Sequence, residues 1–292
     1  MYFYLMRYLL LILLLCCFAL PVCAQTNAIS DTTLQYQRFT KCEKQWVALT
    51  KRDRSGRYIY GYVFIDDKAG FVFYAGGLFG VDKNQKYYID TIAFKKEHPK
   101  VLIKPNWQKV AIISPKHYSE LGIDAQPDWV KPYYTYTDTA VHDQRVGFMY
   151  NDLDEPALAL PFLQKSWQLN TRSKGTAYDL GFAYNELGRY DEAISVLTPA
   201  ILLGSDNAFL YKQLGDSYAA KNDTAKAFDS YKKAIDHFPN GKNEAKAEAA
   251  FVLAGVYKKN GDADEYKNWM LKAKSYSPTD SRYYKLIVDA GF

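Results

Sequence analysis

The 292-residue sequence lacks the residue patterns that most often mark a cofactor-dependent enzyme. Its four histidines are scattered, and no two of them lie at the spacing of a metal-binding pair. No serine-hydrolase elbow, phosphate-binding loop or dinucleotide fingerprint occurs. Asn260, Asp262 and Asp264 resemble part of a calcium loop, but the glycine and the terminal glutamate that such a loop requires are missing. We therefore predict a protein that is not an enzyme, with no cofactor, no metal site and no catalytic residue.

Cysteine is scarce outside the N-terminus. Three of the four cysteines, Cys16, Cys17 and Cys23, lie within the first 24 residues. If that segment is removed, Cys42 remains alone, and an intramolecular disulfide is impossible. We expect Cys42 to be a small buried hydrophobic residue, which is the usual role of a free cysteine.

Long apolar runs are also missing, except near the start of the chain. Arg7 precedes thirteen apolar residues at positions 8–20, and Pro21 and then Val22, Cys23 and Ala24 follow. Thirteen helical residues span only about 20 Å, short of the roughly 30 Å hydrocarbon core of a bilayer. The pattern predicts a cleavable signal peptide at residues 1–24 and export to a periplasmic or extracellular location. No membrane span would then remain.

An alternative uses Cys23 as the anchor of a lipoprotein associated with the cell envelope. Residues 20–23, Leu-Pro-Val-Cys, resemble a lipoprotein signal. Val22, however, stands where such signals place Gly, Ala or Ser.

The charge pattern argues against a nucleic-acid partner. The formal net charge of +5 falls to +4 without the signal peptide, because Arg7 is its only charged residue. Charges of both signs are interspersed along the chain, without a run of five or six like charges.

Residues 45–114, within a first domain of residues 25–142, are rich in Tyr, Phe, Val and Ile, which favour strands. Turn residues separate five predicted strands of an antiparallel meander, at residues 58–65, 71–75, 86–94, 101–104 and 109–114. Gly76 and Gly77 are expected to end the second strand. The composition predicts a β-rich domain of unknown role that ends near residue 142.

Period-two alternation places four rings, Tyr58, Tyr60, Tyr62 and Phe64, on one face of the first predicted strand. Such a face is either a glycan-binding or other ligand-binding platform or a core packed against a second layer. The platform, and an enzyme site assembled from residues distant in sequence, are the alternative functions for this half.

Beyond residue 142 the sequence repeats itself. A shift of 34 residues superimposes Leu180 and Gly181 on Leu214 and Gly215, and Tyr184, Ala193 and Ala200 also meet identical residues. A third copy begins after 39 residues, with Leu253 at the first position. Gly181 lacks a side chain at the expected helix–helix contact, so it predicts a close approach of two helices.

These spacings resemble the tetratricopeptide repeat family, whose unit is a pair of antiparallel helices. The resemblance covers residues 143–292 and implies three clear repeats, a degenerate first repeat at residues 143–172 and a capping helix at residues 280–292. The expected fold is therefore α+β with two domains, an antiparallel β-rich domain followed by an all-α superhelix. Residues before 143 carry no such resemblance.

In that family, the first helices of the repeats line a concave groove that holds a peptide or a partner protein. The resemblance thus implies an interaction scaffold. The residues two before, two after and five after each motif leucine would face the groove. As partner-binding residues we select Tyr178, Phe182, Asn185, Lys212, Asp216, Phe251 and Lys258. The alternative is that the aromatic members pack against a neighbouring helix or the N-terminal domain.

Overall fold

The computed structural model describes residues 31–292, apart from residues 32, 91–97 and 205. The predicted signal peptide and Cys23 lie outside the described residues, as does the end of the strand predicted at residues 86–94. No helix in the described ranges is both long enough and apolar enough to cross a bilayer.

The N-terminal half forms one antiparallel sheet, as predicted. Its strands are β1 Tyr36–Gln37, β2 Gln45–Arg52, β3 Tyr58–Asp66, β4 Gly70–Val81, β5 Tyr87–Asp90, β6 Lys100–Leu102 and β7 Val110–Ile112. The order across the sheet is β1-β7-β2-β3-β4-β5. Strand β6 pairs with residues 72–74 of β4. Sequential strands β2, β3, β4 and β5 are neighbours, so this part of the sheet is a meander.

Strand β4 continues through the glycines that were expected to end it, so that prediction was wrong. Tyr60 pairs with Gly77, whereas the next residue, Gly61, pairs with Ala75. Gly76 is therefore the extra residue of a β-bulge, which bends a strand without ending it. A side chain at this position would place its Cβ 2.6 Å from the Tyr60 ring, so the bulge requires a glycine.

The aromatic face of β3 is a core and not a platform. Tyr58 and Tyr60 are almost fully buried, and Tyr62 and Phe64 are 0% exposed. The segment that follows the sheet covers Tyr62 and Phe64, which lie 5.8 Å and 5.5 Å from the Trp129 ring. Tyr58 and Tyr60 pack against Phe79 of β4. The glycan-binding alternative is wrong for these four rings, because no ligand can reach them.

The opposite face of the sheet packs against the first helices. Phe71 meets Tyr150 edge to face at 5.3 Å, and one continuous cluster of buried residues joins the strands to the helices. Arg145 also forms an ion pair of 2.6 Å with Asp67 in the β3–β4 turn. The sheet therefore shields the first apolar face of the helical half, which is the role of a cap in a repeat array.

Cys42 is part of this cluster and is fully buried. Burial raises the pKa of its thiol to about 11, and a weak hydrogen bond from Gln37 opposes the shift. The prediction that Cys42 is a buried hydrophobic residue is confirmed.

The C-terminal half consists of consecutive antiparallel helices, as predicted. They are α1 Thr139–Asp152, α2 Pro156–Leu169, α3 Lys174–Glu186, α4 Tyr190–Leu202, α5 Ala208–Ala220, α6 Thr224–His237, α7 Glu244–Lys259, α8 Ala263–Tyr276 and α9 Arg282–Asp289. Helices α1 and α2 form the degenerate repeat, and α9 is the expected capping helix. Side chains that cap helix N-termini include Asp138, Ser173, Asn207 and Asp223.

Short interhelical contacts recur at the repeat interval. A Cβ added to Gly181 would lie 2.6 Å from Leu197 Cδ2, and one added to Gly215 would lie 2.8 Å from the Tyr231 ring. Gly147 faces Leu163 in the same way in the first repeat. The close approach predicted at Gly181 is therefore confirmed, and it explains why glycine recurs at this position.

Candidate functional site

The first helices of successive pairs lie side by side, since α1 packs on α3 and α3 packs on α5. The predicted partner-binding residues lie on α3, α5 and α7. We call the side of these helices that carries them, together with the adjoining side of α1, the first-helix face. Its polar and aromatic residues have different surroundings, which decide what each of them can bind.

Asn185 is occupied by a hydrogen-bond ladder between α3 and α5. Its Nδ2 donates to the Gln213 backbone oxygen at 3.0 Å and to Gln213 Oε1 at 2.9 Å. The Ser217 hydroxyl donates to Asn185 Oδ1 at 2.7 Å. Because both ends of the amide are bonded, Asn185 holds two repeats in register and has little capacity left for a ligand.

Lys212 and Asp216 belong to an internal ion-pair network. Lys212 Nζ lies 3.2 Å from Asp216 Oδ2 and 3.0 Å from Glu248 Oε1 of α7, and the Tyr231 hydroxyl donates to Asp216 Oδ1 at 2.7 Å. Burial favours the neutral amine, but the two carboxylates hold the pKa of Lys212 above its ordinary value. The Lys212 side chain is only 12% exposed, so it ties α5 to α7.

The predicted aromatic residues are half-buried on the first-helix face. The Tyr178 ring meets Phe209 of α5 edge to face at 5.9 Å, and Phe251 lies 5.7 Å from Tyr283 of the capping helix. These two rings therefore pack partly against neighbouring helices, as the alternative interpretation expected. Phe182 is half-buried.

Lys258 is exposed, and its ammonium lies 5.1 Å from the centre of the Tyr266 ring. The seven predicted residues thus do not form one continuous site. The polar ones near the middle link the repeats, whereas Tyr178 and Phe251 line two separate clefts.

The first of these, the aromatic cleft, lies between α1, α3 and the start of α5. It encloses about 340 Å³ and is lined by Gln144, Phe148, Gly175, Tyr178, Asp179, Asn207 and Phe209. Phe148 is 50% exposed and Phe209 is 43% exposed. Half-exposed rings on a cleft wall are typical of surfaces that anchor a protein partner.

Asp179 forms a polar wall of the aromatic cleft. It is 4% exposed, and its Oδ2 accepts a hydrogen bond from Gln144 Nε2 at 2.5 Å. Burial raises the pKa of the Asp179 carboxyl to about 6, and the bond from Gln144 opposes this only in part. At neutral pH the cleft therefore contains a largely ionised carboxylate in poorly solvated surroundings.

The second cleft encloses about 470 Å³ beside α7. Its walls are largely apolar and include Ala219, Phe251 and Val252. Gly255 also lines this cleft, and a Cβ added there would meet nothing within 4 Å. Lys259 lies at its edge and donates to Asn222 Oδ1 at 2.6 Å. This cleft has no buried charge among its lining residues.

Several residues of the aromatic cleft were not selected from the sequence. The offsets used for the clear repeats, applied to Val146 of the degenerate repeat, would have selected Gln144 and Phe148. Asp179 directly precedes a motif leucine, a position that was not considered. Phe209 lies five residues before Leu214, at the position that Gly175 holds in the preceding repeat.

The fold and the cleft define a class of protein, a helical-repeat scaffold with a cleft across adjacent repeats. In the C-terminal half of the chain, residues 176–203 and residues 213–241 each match a sequence model of the tetratricopeptide repeat. These two segments of the C-terminal half are therefore tetratricopeptide repeats, as predicted. No curated protein sequence matches the chain.

Several solved structures resemble this half. A MamA crystal structure is 22% identical, with 54% of this chain and 86% of that chain covered and a TM-score of 0.42. The tetratricopeptide repeat protein TTC0263 of Thermus thermophilus is 23% identical, with 55% and 84% covered and a TM-score of 0.46. YrrB, another tetratricopeptide repeat protein, is 16% identical, with 52% and 74% covered and a TM-score of 0.44.

Tetratricopeptide repeats bind protein or peptide partners. The two matched segments therefore support a protein-interaction scaffold.

Proposed function

We propose that the protein is an exported, non-enzymatic adaptor that holds a segment of a partner protein along its first-helix face. The aromatic cleft is the anchor point of that segment. The N-terminal sheet serves as a structural cap of the repeat array in this proposal, and it has no ligand of its own.

The contrast between rings and polar groups on the first-helix face carries this proposal. Asn185, Lys212 and Asp216 are bonded to neighbouring helices, so their polar groups are used in holding the array together. Phe148 and Phe209 remain half-exposed beside the cleft. A partner side chain that packs on these rings would bury them, and burial of aromatic surface is the usual source of binding energy at an interaction hot spot.

The burial of the aromatic face of β3 supports a non-enzymatic, capping role for the N-terminal half. Its rings are used to pack the sheet against the segment that covers it. Likewise, the other face of the sheet is used to cover α1 and α2.

Export is proposed from the N-terminal sequence alone. Processing by a signal peptidase would leave Gln25 as the first residue, whereas lipidation would leave a modified Cys23. Intact-mass measurement of the protein recovered from the cell envelope or the medium distinguishes the two, and an unprocessed N-terminus would contradict both.

The peptide-binding proposal is tested by selecting from a phage-displayed library of random dodecapeptides on the immobilised protein. We expect the wild type to enrich a recurring motif in which one side chain packs on the rings of the aromatic cleft. The double variant Phe148→Ala, Phe209→Ala should lower the affinity for the selected peptides at least ten-fold, because it removes both half-exposed rings from the cleft wall.

The matched control is Leu202→Ala, Leu271→Ala, which removes two exposed apolar side chains from the second helices of the repeats. This control should bind the peptides as the wild type does. Undiminished binding by the folded phenylalanine double variant would refute the aromatic cleft as the anchor.

A further inference from the structure

We propose that the aromatic cleft receives the cationic side chain of a lysine or arginine in the partner segment, with Asp179 as its counter-ion. This inference rests on the proposed function, because it specifies what the bound segment must present. It assigns the cleft a chemical specificity that aromatic walls alone would not have.

The Asp179 carboxylate is held in place and has one oxygen available. Gln144 occupies Asp179 Oδ2, and Asn151 Nδ2 donates to the Asp179 backbone oxygen at 2.8 Å, which fixes this turn of α3. Within the described part of the chain, Asp179 Oδ1 has neither a hydrogen bond nor an ion pair. Since Asp179 lines the cleft, that oxygen is the acceptor offered to a ligand.

Asp179 has no counter-ion among the described residues. Among the described residues, the cations of this region are bound elsewhere: Arg145 pairs with Asp67, Lys165 with Asp143, and Lys212 with Asp216 and Glu248. Burial accordingly raises the pKa of Asp179, because no neighbouring positive charge compensates for the lost solvation. A buried charge without a partner destabilises the fold, and such charges cluster at functional sites.

The walls of the cleft are suited to the stem of a long cationic side chain. Phe148, Tyr178 and Phe209 line the same cleft as the carboxylate and give it aromatic walls. The methylene stem of a lysine or arginine packs on such rings, and its charged end interacts favourably with their faces. A volume of about 340 Å³ lies at the small end of the range for ligand sites, which suits one long side chain.

Other side chains fit less well. An acidic side chain would bring two carboxylates together, which raises the pKa of one of them and weakens binding. A purely apolar side chain would displace water from Asp179 without replacing its hydrogen bonds. A cation alone satisfies both the rings and the carboxylate.

The test uses two small probes, n-butylammonium and 1-butanol, which share an alkyl chain but differ in charge. Each is titrated into the purified protein while the side-chain amide signals of Gln144 are followed by NMR. We expect n-butylammonium to bind the wild type at least ten-fold more tightly than 1-butanol, and Asp179→Asn to remove that preference. The control Asp229→Asn, an exposed carboxylate on α6, should keep it.

Equal binding of the two probes, or a preference that survives Asp179→Asn, would overturn the inference. The peptide selection separates it from the proposed function. Selected peptides that carry no basic residue at a fixed position would refute the cation site and leave the peptide-binding function standing. Conversely, a preference for n-butylammonium in a protein that selects no peptide would support the cation site and refute the proposed function.

Discussion

Replacing Gly181 by alanine tests whether the repeat depends on bare backbone at its helix–helix contact. The new Cβ would lie 2.6 Å from Leu197 Cδ2, 2.8 Å from its Cγ and 3.0 Å from its Cδ1. Real Cβ atoms are almost never found at such distances from other carbons. Either Leu197 must leave its rotamer or α3 and α4 must separate.

Two opposing effects set the change in the free energy of unfolding that Gly181→Ala causes. Alanine favours a helix over glycine by about 0.5–1 kcal/mol. Overpacking of a close contact costs about 1–3 kcal/mol. We therefore expect Gly181→Ala to lower the free energy of unfolding by up to about 2.5 kcal/mol.

Gly255 is the matched control, because it lies within helix α7 and a Cβ added to it would meet nothing within 4 Å. Gly255→Ala should therefore gain the helix-propensity term alone and stabilise the protein by about 0.5–1 kcal/mol. Equilibrium urea unfolding, followed by circular dichroism, measures both variants. The difference between them isolates the packing cost.

The same substitution in a Leu197→Ala variant tests the contact between Gly181 and Leu197. Leu197→Ala removes the side chain that the new methyl group would strike, so Gly181→Ala should cost less there than in the wild type. If Gly181→Ala stabilises the wild type as much as Gly255→Ala does, the close approach does not explain the glycine. The reasoning about the repeat spacing would then be wrong.

Two further predictions concern charged groups of the first-helix face. Lys212→Ala should lower the free energy of unfolding by about 1–3 kcal/mol, because it leaves Asp216 and Glu248 without their shared cation. The control Lys233→Ala breaks an exposed ion pair and should cost under about 1 kcal/mol. Equal losses for the two variants in urea unfolding would contradict the network. For Asp179, the folded-state pKa of about 6 lies above the ordinary value, so the contribution of this carboxyl to stability is lost as the pH rises from about 4 to 6. Asp179→Asn should thus match the wild type near pH 4 and exceed its unfolding free energy by up to about 3 kcal/mol above pH 6. A difference that does not change with pH in urea unfolding would refute the buried-charge argument.

The sequence by itself determined the helical half in detail. The recurrence of Leu180 and Gly181 at a fixed interval reflects a contact that each repeat makes within itself, so local spacing reports it directly. The alternation of rings along β3 likewise reflects a strand. Both features depend on the periodicity of the backbone, which short stretches of sequence record.

Only the tertiary structure decided which of these residues remain accessible. The Phe64 ring of β3 is buried because a segment more than sixty residues further along the chain folds over it, as its contact with Trp129 shows. Lys212 is occupied because Glu248 approaches from another repeat. The aromatic cleft joins Gln144 to Phe209 across three helices. Burial, ion pairing and cleft formation depend on groups far apart in the chain, and no local pattern records them.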